Sequence, residues 1–237
     1  MWNEQDWKAL ENHAQRCRSQ SILELIKSDA TRVSKMSMQL GPMYFSYARR
    51  HIDTAAMIDL LHRLEQSGIQ SQTQAMFTGE KINTSEDRPV LHTALRSNLS
   101  DSNVAQQAYQ QAMAVLEQME GVIKHLQATD VTDVISVGIG GSDLGPRLVL
   151  NALADYAKND FRIHFLSSAD GMYLDRFMAQ LDPAHTAVLL VSKSFNTQET
   201  LINGEVLKKW MNNPKKIYAI TANAKKAIAF DVLPENI

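Results

Sequence analysis

The chain has 237 residues, 44% hydrophobic and 21% charged, with 24 lysines and arginines against 26 aspartates and glutamates. These are ordinary globular values that exclude a disordered or coiled-coil chain, and a net charge of -2 with scattered basic residues gives no long-range pull toward nucleic acid or an anionic membrane. Cys17 is a lone cysteine, no apolar run is long enough to span a bilayer, and the polar N-terminus lacks the blocks of a signal peptide, so a cytoplasmic location is expected.

Residues 3 to 28 read as helix, with Trp7, Leu10, Ala14 and Cys17 on one face and a second short helix around Ile22 to Ile26. Cys17 on that face is a core residue, since nothing electropositive is arranged beside it. Residues 35 to 50 change character. Met36, Met38 and Leu40 alternate with polar residues, Gly41-Pro42 breaks the chain, and Met43 to Tyr47 follows, which predicts a small hairpin. Helix returns over 53 to 68, capped by Asp53 or Thr54 and ending near Gly68. The polar stretch from Gly79 to Arg96 reads, by its residues alone, as a turn into a surface helix held by local ion pairs. A long helix from about Asn103 to Leu126 follows, with Ala105, Tyr109, Ala112, Leu116, Met119, Ile123 and Leu126 on one stripe.

From Thr132 onward strands and helices alternate, which predicts an α/β domain with a parallel sheet flanked by helices. The predicted strands lie near Val134 to Val137, Arg162 to Leu166, Ala187 to Val191 and Ile217 to Ile220. Helices follow them: one from the glycine loop to Tyr156, one opened by Asp170, one at Thr197 to Met211 and a short one near Ala224 to Phe230. Residues 1–130 then form a mostly helical N-terminal region with the hairpin, and residues 131–237 the α/β domain.

Two loops at strand ends carry the chemistry. Val137-Gly-Ile-Gly-Gly-Ser-Asp-Leu-Gly-Pro146 joins a strand to a helix through glycines that allow a sharp turn and close approach to a ligand, leaving amides directed outward at a helix N-terminus. Ser142 or Asp143 is placed to cap that helix, and Pro146 is tolerated in its first turn. Ser192-Lys-Ser-Phe-Asn-Thr-Gln-Glu-Thr200 is a hydroxyl-rich loop running into a helix, where Asn196 and Glu199 have capping-box spacing. Ser192, Lys193, Ser194 and Thr197 remain at the carboxyl edge of the sheet and suit a phosphate monoester. A dinucleotide fingerprint begins at Gly138-Ile-Gly140 and fails at Asp143, which stands in the third glycine's place. His13, His51, His62, His92, His125, His164 and His185 show no paired helical spacing, so no metal site is expected. No G-x-S-x-G elbow is present.

Those two loops and the segment from Ile82-Asn83 to Leu91-His-Thr-Ala-Leu-Arg96 together resemble, in order and spacing, motifs of the glucose-6-phosphate isomerase (phosphoglucose isomerase) family. Asp231 to Ile237 also resembles a family segment, while Ser194 and Asn196 depart from the threonines common there. The resemblance implies that residues 131–237 are a sugar isomerase (SIS) domain of three layers, truncated at its C-terminal end. It implies sugar-phosphate binding by Ser142, Ser192, Lys193, Ser194, Phe195, Asn196 and Thr197, with the Gly141 backbone facing the sugar, and no cofactor or metal. It further implies an enzyme that interconverts aldose and ketose phosphates, a homodimer when full-length. The family's catalytic glutamate, histidine, arginine and lysine belong to segments after residue 237, so the chain is expected to bind a sugar phosphate without turning it over. Glu199 is not the missing base, because its capping position explains it. A non-catalytic sugar-phosphate-binding regulator is the alternative, against which residues 1–130 offer no basic recognition helix.

Overall fold

The computed structural model describes residues 3–96, 100–157 and 160–237. They form two compact units, Met1–Met113 and Ala114–Ile237.

The first unit is helical apart from one hairpin. It holds α1 (Glu4–Arg18), α2 (Ile22–Ser28), α3 (Arg32–Lys35), β1 (Ser37–Leu40), β2 (Met43–Ser46), α4 (Thr54–Gln66), α5 (Ile69–Thr78) and the start of α6 (Asn103–Gln127). Helix starts are set by short polar side chains. Asn3 and Asp6 exchange side-chain and backbone hydrogen bonds of 3.0 and 2.8 Å, Ser21 and Glu24 do the same, and Asp53 Oδ1 accepts the Ala56 amide at 2.8 Å. Leu40 faces Met43 across the Gly41-Pro42 turn, where Gly41 has φ +56°. Cys17 is buried, as its helical face predicts.

Three features of this unit depart from the sequence pattern or are invisible in it. Helix α5 forms between two left-handed glycines, Gly68 and Gly79, although its Gln-, Ser- and Thr-rich sequence shows little apolar stripe. The surface helix expected before Arg96 is, among the described residues, only a 3-10 turn at His92–Leu95. Pro89 and the positive φ of Asp87 keep the preceding segment a turn, in which Lys81 pairs with Asp87 at 2.8 Å and Arg88 with Glu86. Arg32 is buried, and its guanidinium donates to the carbonyls of Ala48, Arg50 and Ile52 at 2.8 to 2.9 Å, holding the chain between hairpin and α4.

The second unit contains the rest of α6, then β3 (Asp133–Val137), α7 (Gly141–Ala152), β4 (Arg162–Leu166), α8 (Gly171–Met178), β5 (Thr186–Val191), α9 (Gln198–Met211), β6 (Ile217–Ile220) and α10 (Ala224–Ala229). The four strands are parallel in the order β4-β3-β5-β6, with Val137 of β3 opposite Leu166 and Leu190. All five β3 residues are buried, as a strand covered on both faces requires. One face packs Ile135, Val137, Val188 and Leu190 against Leu174 of α8, Leu207 and Met211 of α9 and Ala227 of α10. The other packs Val134, Ala187 and Tyr218 against Val122 and Leu126 of α6. The architecture is therefore a parallel sheet flanked by helices.

At the amino ends of the strands, Asp133 is buried and accepts two hydrogen bonds from Arg162 at 2.8 and 2.6 Å, with His164 and Thr132 completing its shell at 2.8 and 2.7 Å. The Arg162 hydrogen bonds hold its carboxyl well below the usual carboxylate range, and His164 and Thr132 add to this. Because the folded-state pKa is depressed, this contribution to stability is fully present above the ordinary aspartate value of about 3.9 and is lost as pH falls below it. Asp133→Asn is expected to cost about 2 kcal/mol at pH 7 and somewhat less at pH 3, where the unfolded chain has begun to bind the proton while the folded carboxylate is still ionised. Urea unfolding of both proteins at the two pH values measures the difference.

Candidate functional site

Strand order reverses at β3: the chain passes from β3 to β4 on one side, then returns to β5 on the other. The loops leaving the carboxyl ends of β3 and β5 therefore diverge from adjacent strands, which is where open α/β sheets bind ligands. They are the glycine loop and the serine-rich loop.

The glycine loop is shaped by two glycines. A Cβ on Gly138 would lie 2.9 Å from Ser142 Cβ and 3.1 Å from Ser142 O, so the first turn of α7 can fold back onto the strand end only without it. Gly140, with φ +57° and ψ -121°, occupies a region that side chains disfavour. Gly141 is exposed and Ser142 half-buried at the start of α7. Neither Ser142 nor Asp143 caps the helix: Gly140 is the N-cap, and its carbonyl accepts the Asp143 and Leu144 amides at 3.1 and 2.8 Å. The Ser142 amide is likewise taken by Ile139 O, whereas the Ile139, Gly140 and Gly141 amides have no backbone acceptor among the described residues. Pro146 lies one turn deeper than expected, as the sixth residue of α7, and lacks the N–H that would have bonded to Ser142 O. Asp143, buried, instead binds Arg147 through two bonds of 3.1 and 2.7 Å, and Arg147 lies 4.6 Å over the Phe165 ring of β4. That contact ties the first turns of α7 to the neighbouring strand.

The loop after β5 is anchored at several points. Ser192 is 2% exposed, its amide donates to Ile220 O at 3.1 Å, and its Oγ meets Thr197 Oγ1 at 3.1 Å. Lys193 and Ser194 are exposed, while the Lys193 carbonyl accepts from the Ala222 amide and the Thr221 hydroxyl. Phe195 has φ +52°, unusual for a side-chain-bearing residue, and buries its ring against Phe230 at 5.8 Å between centroids. Its side chain belongs to the core, and its burial offsets the backbone cost and fixes the bend. Thr197, not Asn196, is the N-cap of α9, and it makes no side-chain cap bond. The expected Asn196 and Glu199 capping box does not form because Asn196 Oδ1 accepts from Lys226 of α10. Glu199 is left as an exposed first-turn carboxylate.

The two loops leave adjacent parallel strands at one sheet edge, the first carrying Gly141 and Ser142 at the start of α7, the second carrying the paired Ser192 and Thr197 hydroxyls and Lys193, with Lys226 joined to it through Asn196. Sequence reasoning missed Lys226. It lies 30 residues from Asn196 and is joined to it only by the packing of α10 against the loop. Donors of this kind, with a cation at the edge, hold an oxyanion. Among the described residues no group of three or more His, Cys, Asp or Glu is placed to hold a metal.

Gly138→Ala tests the geometry directly. The added methyl is expected to push the start of α7 away from the strand end, costing about 1 to 3 kcal/mol in urea unfolding and abolishing anion binding measured by calorimetry.

The chain matches the family model described as phosphoglucose isomerase over residues 46–237. It is 45% identical over 230 residues to a glucose-6-phosphate isomerase of Xanthomonas axonopodis pv. citri, covering 97% of this chain and 46% of that protein. A glucose-6-phosphate isomerase of Xanthomonas campestris pv. campestris is 44% identical over the same shares. A crystal structure of a glucose-6-phosphate isomerase from Chlamydia trachomatis superposes with a TM-score of 0.76 at 26% identity, over 91% of this chain and 44% of that one. The chain thus spans about half the length of the relatives it matches. With the model covering most of the chain and both loops inside the matched range, the chain belongs to the phosphoglucose isomerase family.

Proposed function

We propose that this chain is the sugar-phosphate-binding part of an aldose–ketose isomerase that interconverts glucose 6-phosphate and fructose 6-phosphate, the step shared by glycolysis and gluconeogenesis. The observation that carries the reading is the buried Ser192 hydroxyl meeting Thr197 at the N-terminus of α9, beside the glycine loop on the adjacent strand. A phosphate monoester fits this cradle, since its oxygens accept from hydroxyls and from a helix N-terminus and its charge is matched by the dipole. Ser142, Ser194 and Lys193 complete the grip, and the Gly141 backbone faces the sugar.

Isomerisation needs more than a grip. Moving a proton between neighbouring carbons through an enediol requires a carboxylate base near the carbon acid and cationic or hydrogen-bonding groups for the enediolate oxygen. The cradle residues include no carboxylate base, and their donors are engaged with the phosphate. Their part is to anchor the unreactive phosphate so that its binding energy orients the sugar carbons for groups contributed elsewhere. The 237-residue chain by itself is therefore a binder, and a cytoplasmic homodimer is the form proposed for the full-length enzyme. Leu144, Leu148, Val149, Leu153 and Tyr156, each more than half exposed along and just after α7, support an apolar partner surface.

Calorimetric titration with glucose 6-phosphate, inorganic phosphate and NAD tests the reading. Selective binding of the sugar phosphate is expected, weakened roughly tenfold or more by Ser192→Ala. Preferential NAD binding would overturn it. In a coupled assay with fructose 6-phosphate the pure chain is expected to show no turnover, and steady product formation would refute the division between grip and chemistry.

A further inference from the structure

Thr200 is 1% exposed, and its Oγ1 is the one buried side-chain polar atom among the described residues with no hydrogen-bond partner. A buried hydroxyl without a partner is costly, and a helical threonine ordinarily returns its proton to a carbonyl of the preceding turn. Its place in the fold says what the hydroxyl faces. Thr197, Thr200 and Asn203 recur at three-residue spacing and share one face of α9. At one end of that face Thr197 meets Ser192 at the end of β5, and at the other Asn203 Nδ2 donates to Ser168 O, beyond the end of β4, at 2.9 Å. Strand β3 lies between β4 and β5, and α9 packs on it. Thr200 is thus set between the two anchors, on a helix that packs on β3 and β5. Helical side chains lean toward the N-terminus, which directs its hydroxyl up toward the Ser192–Thr197 pair.

We propose that Thr200 is a positioning residue for a phosphate monoester, its hydroxyl donating to the Ser192–Thr197 pair when both of those hydroxyls turn their protons to the bound anion. This rests on the sugar-phosphate reading of the site. Without an anion, one of the two hydroxyls donates to the other across 3.1 Å, so one proton is committed inside the protein. A phosphate group offers several acceptor oxygens and draws both protons outward. The mutual bond is then lost and oxygen lone pairs on both side chains are left without a donor. Thr200, one turn along the same face, holds an uncommitted proton to fill one of them. One internal hydrogen bond is exchanged for another, and two are gained by the ligand.

The test separates stability from affinity. Thr200→Val removes the orphan hydroxyl at nearly constant shape, so the ligand-free chain is expected to melt no lower than the wild type, while affinity for inorganic phosphate and glucose 6-phosphate falls about threefold to tenfold. Thr200→Ser keeps the hydroxyl and loses a buried methyl, so it is expected to melt lower yet bind as the wild type does. A purely structural threonine would move melting and affinity together. Wild-type affinity in Thr200→Val, with binding lost in Ser192→Ala, would refute this role alone. So would a Thr200→Ser chain that binds as weakly as Thr200→Val. No binding of either phosphate by the wild-type chain would overturn the sugar-phosphate reading and this role with it.

Discussion

The pairing of β3 with β4 on one side and β5 on the other is the constraint on which the second unit depends. Parallel strands must be joined by crossovers, and a strand flanked by two parallel neighbours leaves its loop beside one of theirs at the same sheet edge. The register puts Val137 level with Leu190, so Gly138 and Ser192 leave the sheet within a residue or two of each other along the strands. A slip of one residue would move the loops by about 3.3 Å and turn Ile135 and Val137 out of their core. Burial of every β3 side chain is what prevents that slip.

Alignment of the strands would accomplish little if α9 were free to drift. A Cβ at Gly204 would come 3.1 Å from side-chain atoms of both Leu190 and Phe230, so glycine lets the helix lie this close to β5 without those side chains having to shift. Phe195 acts from the loop side. Its ring fills the same core that receives Phe230, and the left-handed backbone it tolerates aims the chain into the helix. The hydroxyls of Ser192 and Thr197 meet because an apolar core, not a polar network, fixes the segments that bear them. The amino edge of the sheet uses a different device, since Asp133 is satisfied there by Arg162, His164 and Thr132 and leaves nothing free for a ligand.

Much of this was legible in the residues. Short apolar runs alternating with helical segments mark all four parallel strands, and Asp53 and Asp170 announce the helices they cap. The misread helix caps at Asp143 and Asn196 share one cause. Local spacing assigns both to caps, whereas Asp143 is claimed by Arg147 and Asn196 by Lys226 from another helix. Capping motifs express what a side chain does when nothing distant competes, and at a ligand edge distant partners do compete. Arg32 is the same lesson in the helical unit. No charged partner in the sequence foretells its burial, because its acceptors are main-chain carbonyls that any residues at 48, 50 and 52 would supply.

The sequence by itself determined the alternation of strands and helices, the glycine and hydroxyl composition of the two loops, and through them the family. These are local properties: β-branched burial, absence of a Cβ, and hydroxyls following a strand are written residue by residue. Only the tertiary structure decided that the loops are neighbours, that Phe195 faces the core rather than the ligand edge, that Lys226 reaches Asn196, and that Thr200 keeps a buried hydroxyl without a partner. Each depends on strand order or on contacts between segments far apart in the chain. Hydrogen-bond satisfaction is a sum over everything that surrounds an atom, and that sum exists only once the chain has packed.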